Sequence, residues 1–447
     1  MEAVVRGICS LLDIFIEYPV SSLCFAVSLF CLVAAWVRKS DFFTPVNVYV
    51  FTQTLTLGIA YLKLDSVMTD FKWFTWMVWL GSMAAFLLGV ATYRFVAGKE
   101  RQFVAPPGVP KTYNWHRHFA ISLLLFAAFL VGVAMMVYTV GNFILLTGES
   151  EKWVSADAEY PTYSPDLVLS SPLIVMWFAV ASFKAINPFR KIRIFSKIMV
   201  LVTLVVATLT YPSRTPLFLS LGTLIILYNF LRRRIPAWFI LLGVGLGFSF
   251  FVGIALLRAQ YGTRSLEGMA AKAVITIPYF YIANNYWNLD YALNSPGDYE
   301  IHPFTYGIDA FAGIFAYTRY PDKIREMTRW DKDTNEKSIK IGGYNTFGYQ
   351  WHVYKDFGTA GTVVFPFFAG FLMSWFYRKV TTANSVGLWL AWAVGLYFLG
   401  WSFFLPGYKM GLYWLWIYII AVASLWCSGR SGRSRQKLPE NCVAGER

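Results

Sequence analysis

The chain has 447 residues, 57% hydrophobic, 19% aromatic and only 14% charged, and carries a formal net charge of +14. A soluble domain holds roughly 25% charged residues, so this composition excludes an ordinary water-solvated globule. Lipid offers backbone groups no partner, so only helices or a closed barrel cross it, and uncharged runs near the ~20 residues that span a bilayer select helices. The expected fold class is all-α, a polytopic integral membrane protein.

In chain order, MEAVVRGICSLLDIFIEYPV mixes Asp13 and Glu17 into an apolar stretch and has no small-residue cleavage site. It reads as an amphipathic interfacial helix rather than a secretory signal. Apolar runs then predict spans at 20–37, 45–62, 73–97, 119–140, 167–183, 198–212, 215–231, 236–257, 358–377, 386–404 and 409–427, eleven in all. This divides the chain into an N-terminal membrane region (1–257, about eight helices by this reading), a large loop (258–357), a C-terminal membrane region (358–427) and a disordered tail (428–447). Of the five cysteines, Cys24 and Cys31 lie in the first span, none lies in the loop, and none has metal-ligand spacing.

The charge is unevenly placed. Alternate connections and the tail (Arg38 and Lys39; Arg94 to Arg117; Lys184 to Lys197; Arg232 to Arg234; Arg378 and Lys379; Arg430 to Arg447) hold 22 of the 39 basic residues. The same side holds only Asp41, Glu100, Glu440 and Glu446 as acids, which leaves the rest of the chain at −4. Topology therefore accounts for the basic excess and nucleic acid is not needed as a partner; the positive-inside rule places the N-terminus outside and the C-terminus in the cytoplasm. The acidic connection 148–166 and the loop 258–357 then face outward, and a loop that long calls for a function.

Within the loop, 266–293 is semi-apolar and rich in Tyr and Trp, with Phe280, Trp287 and Tyr291 at helical spacing. It predicts one or two short helices at the membrane surface, anchored in the headgroup zone or offering Trp287 as a platform for sugar rings. The stretch 296–310 is turn-rich, 319–341 is polar and charged, and eleven basic residues balance eleven acidic ones over 258–357, which argues against a polyanion trap.

Three arginines stand apart. Arg214 lies in the turn YPSRTPLF between two spans, Arg258 ends a span, and Arg264 follows it. An ionisable group at the membrane edge is costly unless it snorkels or binds something, and guanidinium forks suit a diphosphate. The segment GGYNTFGYQWHVYKDFGTAG (342–361) sets Asn345, Tyr349, His352 and Asp356 among glycines. If it is helical, Tyr349, His352 and Asp356 share a face by i, i+3, i+7 spacing. His352 is the preferred general base, with Asp356 orienting or replacing it, His302 next and Glu267 after that. No P-loop, GxGxxG or HExxH occurs, and DKDTNE (331–336) lacks the glycine and distal glutamate of an EF-hand. Any enzyme here takes a donor already in the membrane.

Four features resemble the Wzy-type O-antigen and oligosaccharide repeat-unit polymerases of the bacterial envelope. These are a many-helix plan with one large late loop, the turn Ser213 to Thr215 holding Arg214, the LLRAQYG passage closing a span at Arg258, and NTFGYQWHVYKDFGTAGTVV entering the next. The likeness covers mainly 198–380. It implies a C-type membrane glycosyltransferase of the bacterial inner membrane that moves a growing glycan from undecaprenyl diphosphate to the non-reducing end of another lipid-linked repeat unit. It also implies that Arg214 and Arg258 hold the diphosphate, that no metal or other cofactor takes part, and that a chain-length regulator is a possible partner. Arg264, Asn345, Tyr349 and Trp287 are the further residues expected to bind substrate. A ligase using the same donor, and a transporter, are the competing classes; neither internal repeats nor charges deep within a span favour the transporter.

Overall fold

The computed structural model describes residues 17–38, 40–64, 68–98, 113–140, 164–211, 215–232, 266–295, 346–404 and 406–428, with a few isolated positions between 235 and 245 and at 307 and 313–314; for 266–277 only the backbone is described. All its regular elements are helices: α1 (Pro19–Val37), α2 (Pro45–Ala60), α3 (Trp73–Ala97), α4 (Trp115–Val140), α5 (Ser164–Leu169), α6 (Ser171–Ser182), α7 (Arg190–Thr210), α8 (Thr215–Leu231), α9 (Leu266–Asn294), α10 (Tyr349–Thr382), α11 (Val386–Gly400) and α12 (Gly411–Cys427). Among the described residues six helices are long and apolar enough to cross a membrane: α1, α3, α4, α7, α10 and the run from α11 through its following turn. The run 166–182, α8 and α12 are shorter apolar helices. The interfacial helix expected before residue 17 and the span expected at 236–257 lie outside the described residues, save a few positions of the latter.

Local chemistry sets several helix ends. Pro19 and Pro45 stand in the first turns of α1 and α2, where a missing N–H costs nothing, and Thr44 Oγ1 accepts from the Asn47 amide at 3.3 Å. α7 begins at Arg190, eight residues before the expected span, because Arg190, Lys191, Arg193 and Lys197 occupy its first turns. Their long stems allow the helix to continue through the interface while the charges reach water. The expected span 167–183 is instead two helices, α5 and α6, that meet at Ser170.

The centre of the bundle is α6. Every side chain from Leu173 to Ala181 is buried, against α4, α7, α8 and α11. A helix apolar on all sides needs partners all round, and α6 has them. The tightest packing lies elsewhere, where α3 runs along α10. There a Cβ placed on Gly89 would collide with the Phe367 carbonyl, and one on Gly370 with the Phe86 carbonyl. Two glycines thus let the backbones approach as small residues do between membrane helices.

Hydrogen bonds identify the two ends of the bundle. At one end the Arg378 guanidinium donates to the Ala97 carbonyl, Arg117 to the Trp426 carbonyl (3.0 Å), and the Asn114 amide to the Cys427 carbonyl (2.9 Å). Buried Asp41 sits at this end, accepting from the Phe43 amide (2.9 Å), Asn229 Nδ2 (2.9 Å) and the Tyr377 hydroxyl (3.1 Å). It therefore ties the α1–α2 turn to α8 and α10. The described basic residues from the alternate connections gather here. The opposite end holds the C-terminal half of α2, the start of α3, α9, the start of α10 and the turns between α11 and α12.

α9 departs from expectation. It is one helix with Pro278 inside, and its described half does not lie free at a surface. Tyr279, Ala283, Tyr286, Trp287, Leu289 and Leu293 are buried against α2, α3 and α10. Polar pins hold it there. Asp290 Oδ1 accepts from the Lys72 amide (3.0 Å) and the Thr75 hydroxyl (2.6 Å), which caps α3 from a neighbouring helix, and the Tyr279 hydroxyl donates to the Ala60 carbonyl (3.0 Å).

Candidate functional site

α10 is two helices joined at a kink. Gly358 has φ 63° and ψ −155°, a conformation open essentially to glycine alone. It separates a short segment, 349–357, from the membrane helix 359–382. The short segment sits at the end of the bundle away from the basic residues of the alternate connections and carries Tyr349, His352 and Asp356. The expected helix therefore exists, beginning at Tyr349, and the three residues fall on its face by spacing.

Their surroundings differ sharply. The Tyr349 hydroxyl is buried and bonded to the Tyr49 hydroxyl at 2.6 Å. Asp356 is fully buried, and so is its neighbour Lys355. His352 alone is half-buried. Its Nδ1 lies 3.5 Å from Lys409 Nζ, and the Phe347 ring stands edge-on to it with centroids 6.3 Å apart. Nδ1 therefore faces Lys409, and Nε2 is the ring nitrogen turned away from it.

Lys409 is placed by the turns between α11 and α12. A 3-10 turn, Gly407–Lys409, follows another at Trp401–Phe403. Trp414 Nε1 donates to the Tyr408 carbonyl at 2.6 Å, and a Cβ at Gly407 would strike the Phe398 ring. Lys409 therefore reaches His352 from a tightly packed turn.

Beneath this pair lies a buried polar layer. Gln53 Nε2 donates to Ser402 Oγ (3.0 Å), Gln350 Nε2 to Gln53 Oε1 (3.4 Å), and the Tyr286 hydroxyl bonds Thr56 Oγ1 (2.7 Å) and the Gln53 carbonyl (3.3 Å). This layer joins α2, α9, the short segment of α10 and the 401–403 turn. It fixes the site in place, because breaking one bond strands a buried partner.

Of the residues singled out in the sequence, Tyr349, His352 and Asp356 share one short helical segment, and Tyr349 turns inward to Tyr49. Trp287 is corrected as a sugar platform: its ring is 2% exposed and packs edge-on against Tyr279 and Phe280, so no face is open to a ligand. Arg214, Arg258, Arg264, Asn345 and His302, and the side chain of Glu267, lie outside the described residues. Sequence reasoning missed Lys409, Gln53 and Tyr49. A lysine between two apolar runs was a visible signal for the first, whereas nothing in the sequence marks Tyr49 and Gln53 as partners of residues about three hundred positions away. His118 shows the opposite case: Nε2 bonds the Trp177 carbonyl at 2.8 Å and Nδ1 the Tyr113 hydroxyl at 2.7 Å, a histidine fully used in packing. No family model, curated protein or solved structure matches the chain.

Proposed function

We propose that this chain is a polymerase of undecaprenyl-diphosphate-linked oligosaccharide repeat units, a lipid-diphosphate-sugar-dependent glycosyltransferase of the bacterial inner membrane. In this reading eleven helices cross the membrane, the N-terminus and the loop 258–357 are periplasmic, and the C-terminus is cytoplasmic. The observation that carries the proposal is the half-buried His352, held beside Lys409 at the end of the bundle opposite the basic residues of the alternate connections.

The chemistry is a single displacement. The acceptor hydroxyl oxygen attacks the anomeric carbon, its proton passes to the lone pair of His352 Nε2, and the bond to the diphosphate oxygen breaks with its electron pair leaving on the diphosphate. Inversion at the sugar follows. Arg214 and Arg258, aided by Arg264 and by Lys409 from the fold, stabilise the charge that develops on the leaving group. Asn345 flanks the acceptor side, while Tyr349, bonded inward to Tyr49, positions the segment that carries His352. Burial of Asp356 supports His352 over Asp356 as the base, since a substrate hydroxyl meets the half-exposed imidazole first.

Reconstitution with a defined undecaprenyl diphosphate oligosaccharide tests the reading, with a ladder of products expected and chelator leaving it unchanged. Arg214→Ala and Arg258→Ala should each abolish long products. If both variants make full-length polymer, the mechanism is wrong; transfer to a different acceptor with no ladder would indicate a ligase.

A further inference from the structure

α9 carries three buried asparagines, Asn284, Asn285 and Asn288, at the junction with the segment leading into α10. Asn284 Nδ2 donates to Thr346 Oγ1 at 3.0 Å, and Asn288 Nδ2 to the Thr346 carbonyl at 3.1 Å. Asn285 Nδ2 donates to the carbonyls of Tyr281 (2.8 Å) and Ile282 (3.2 Å) and to Asn284 Oδ1 (3.1 Å). Asn285 Oδ1, on a residue only 1% exposed, has no hydrogen-bond partner in the protein. A buried acceptor left unmade is costly and calls for an explanation, whereas leucine would fill the same volume without that cost.

We propose that Asn285, Asn284 and Thr346 form a subsite for a neutral, hydroxyl-rich ring, a sugar residue held beside His352. Several observations select that chemistry. The three residues are uncharged, and Asp290, just over one turn from Asn285, is directed to the first turn of α3. Their amide and hydroxyl groups suit vicinal hydroxyls and supply no charge to balance an anion. The Tyr281 ring, one turn before Asn285, is 39% exposed and stacks with Phe404, offering an apolar edge beside the polar groups.

Access and position are consistent with this role. Thr346 is half-exposed. A ligand hydroxyl that accepts from the Asn284 amide replaces the neutral bond to Thr346 with an equivalent one, which frees the Thr346 hydroxyl to bond the ring itself and opens the way to Asn285 Oδ1 for a second hydroxyl to donate. Thr346 directly precedes Phe347, whose ring contacts His352, so a ring held here presents itself to that imidazole. The subsite deepens the polymerase reading and rests on it only for the reaction at His352.

Saturation-transfer NMR on the full chain in nanodiscs tests the subsite, using a panel of methyl hexosides, 6-deoxyhexosides and N-acetylhexosaminides at millimolar concentration. At least one glycoside should bind, and Asn285→Leu and Thr346→Val should each weaken it by about tenfold, one hydrogen bond's worth. Asn285→Leu also removes the donor to Asn284 Oδ1, so its unfolding midpoint is read alongside; if it fails to fold, Thr346→Val carries the test. Absence of any glycoside signal, or equal binding by both variants, overturns the proposal and leaves Asn285 Oδ1 to water only. Glycoside binding that depends on Asn285 in a protein that makes no ladder would refute the polymerase reading and keep the subsite, and a ladder without glycoside binding would do the reverse.

Discussion

Replacing Gly358 by alanine puts the hinge of α10 to a direct test. At φ 63° and ψ −155° a Cβ is strained, and holding a non-glycine residue there costs on the order of 2 kcal/mol, about thirtyfold in the unfolding equilibrium. The alternative is for residue 358 to become helical. That joins 349–357 to 359–382 in a 34-residue rod of ~51 Å, against a hydrocarbon core of ~30 Å. Straightening also pulls Tyr349 from Tyr49 and Gln350 from Gln53, and two buried hydrogen bonds at about 1 kcal/mol each bring the loss to the same size. Both routes therefore predict a lower midpoint in reversible SDS unfolding of the purified protein, and the second also displaces His352 from Lys409. Gly81→Ala is the matched control, because a Cβ at Gly81 in α3 meets nothing within 4 Å and alanine favours the helix by about 0.5–1 kcal/mol. A Gly358→Ala midpoint equal to or above that of Gly81→Ala, with activity intact, would refute the hinge.

Other expectations follow from the same contacts. Gly370→Val should destabilise by at least ~1–3 kcal/mol in the SDS assay, because its Cβ meets the Phe86 backbone, which has no rotamer to yield. Asp41→Ala strands the Phe43 amide, Asn229 and Tyr377 and should lose several kcal/mol, roughly 1–3 for each unpaired buried group, while Tyr377→Phe alone should lose about 1; a double-mutant cycle of Tyr377→Phe with Asn229→Ala measures their coupling through Asp41. His352→Gln should cut product formation in the reconstituted assay by on the order of a hundredfold or more with folding unchanged, and an activity within twofold of wild type would remove His352 as the base. A C-terminal GFP fusion should fluoresce in cells, since GFP matures in the cytoplasm, and a dark but expressed and membrane-inserted fusion would reverse the orientation.

Most of the membrane architecture was legible in the residues. Helices α1, α3, α4 and α8 lie within a few residues of their hydropathic runs, because a span is a local property in which twenty apolar residues suffice. The uneven placement of Arg and Lys was legible as well, and the fold collects the described ones from the alternate connections at one end. Boundaries failed where helix and hydropathy part company, as in the basic first turns of α7 and the break at Ser170. The face shared by Tyr349, His352 and Asp356 was readable from i, i+3, i+7 spacing. Which of the three remains open was not, since burial depends on helices distant in sequence.

By itself, then, the sequence determined that this is a helical membrane chain, where its apolar runs lie, and that 342–361 holds an unusual density of polar groups. Only the tertiary structure decided that Gly358 breaks that segment from its span, that Trp287 is buried beside Tyr279 and Phe280 rather than offered to solvent, and that Lys409 meets His352. The physical reason is one of range. Helix formation in lipid is settled by each segment's own composition, whereas exposure, hydrogen bonding and the meeting of side chains from α2, α9, α10 and the 401–409 turns are settled by packing between segments hundreds of residues apart.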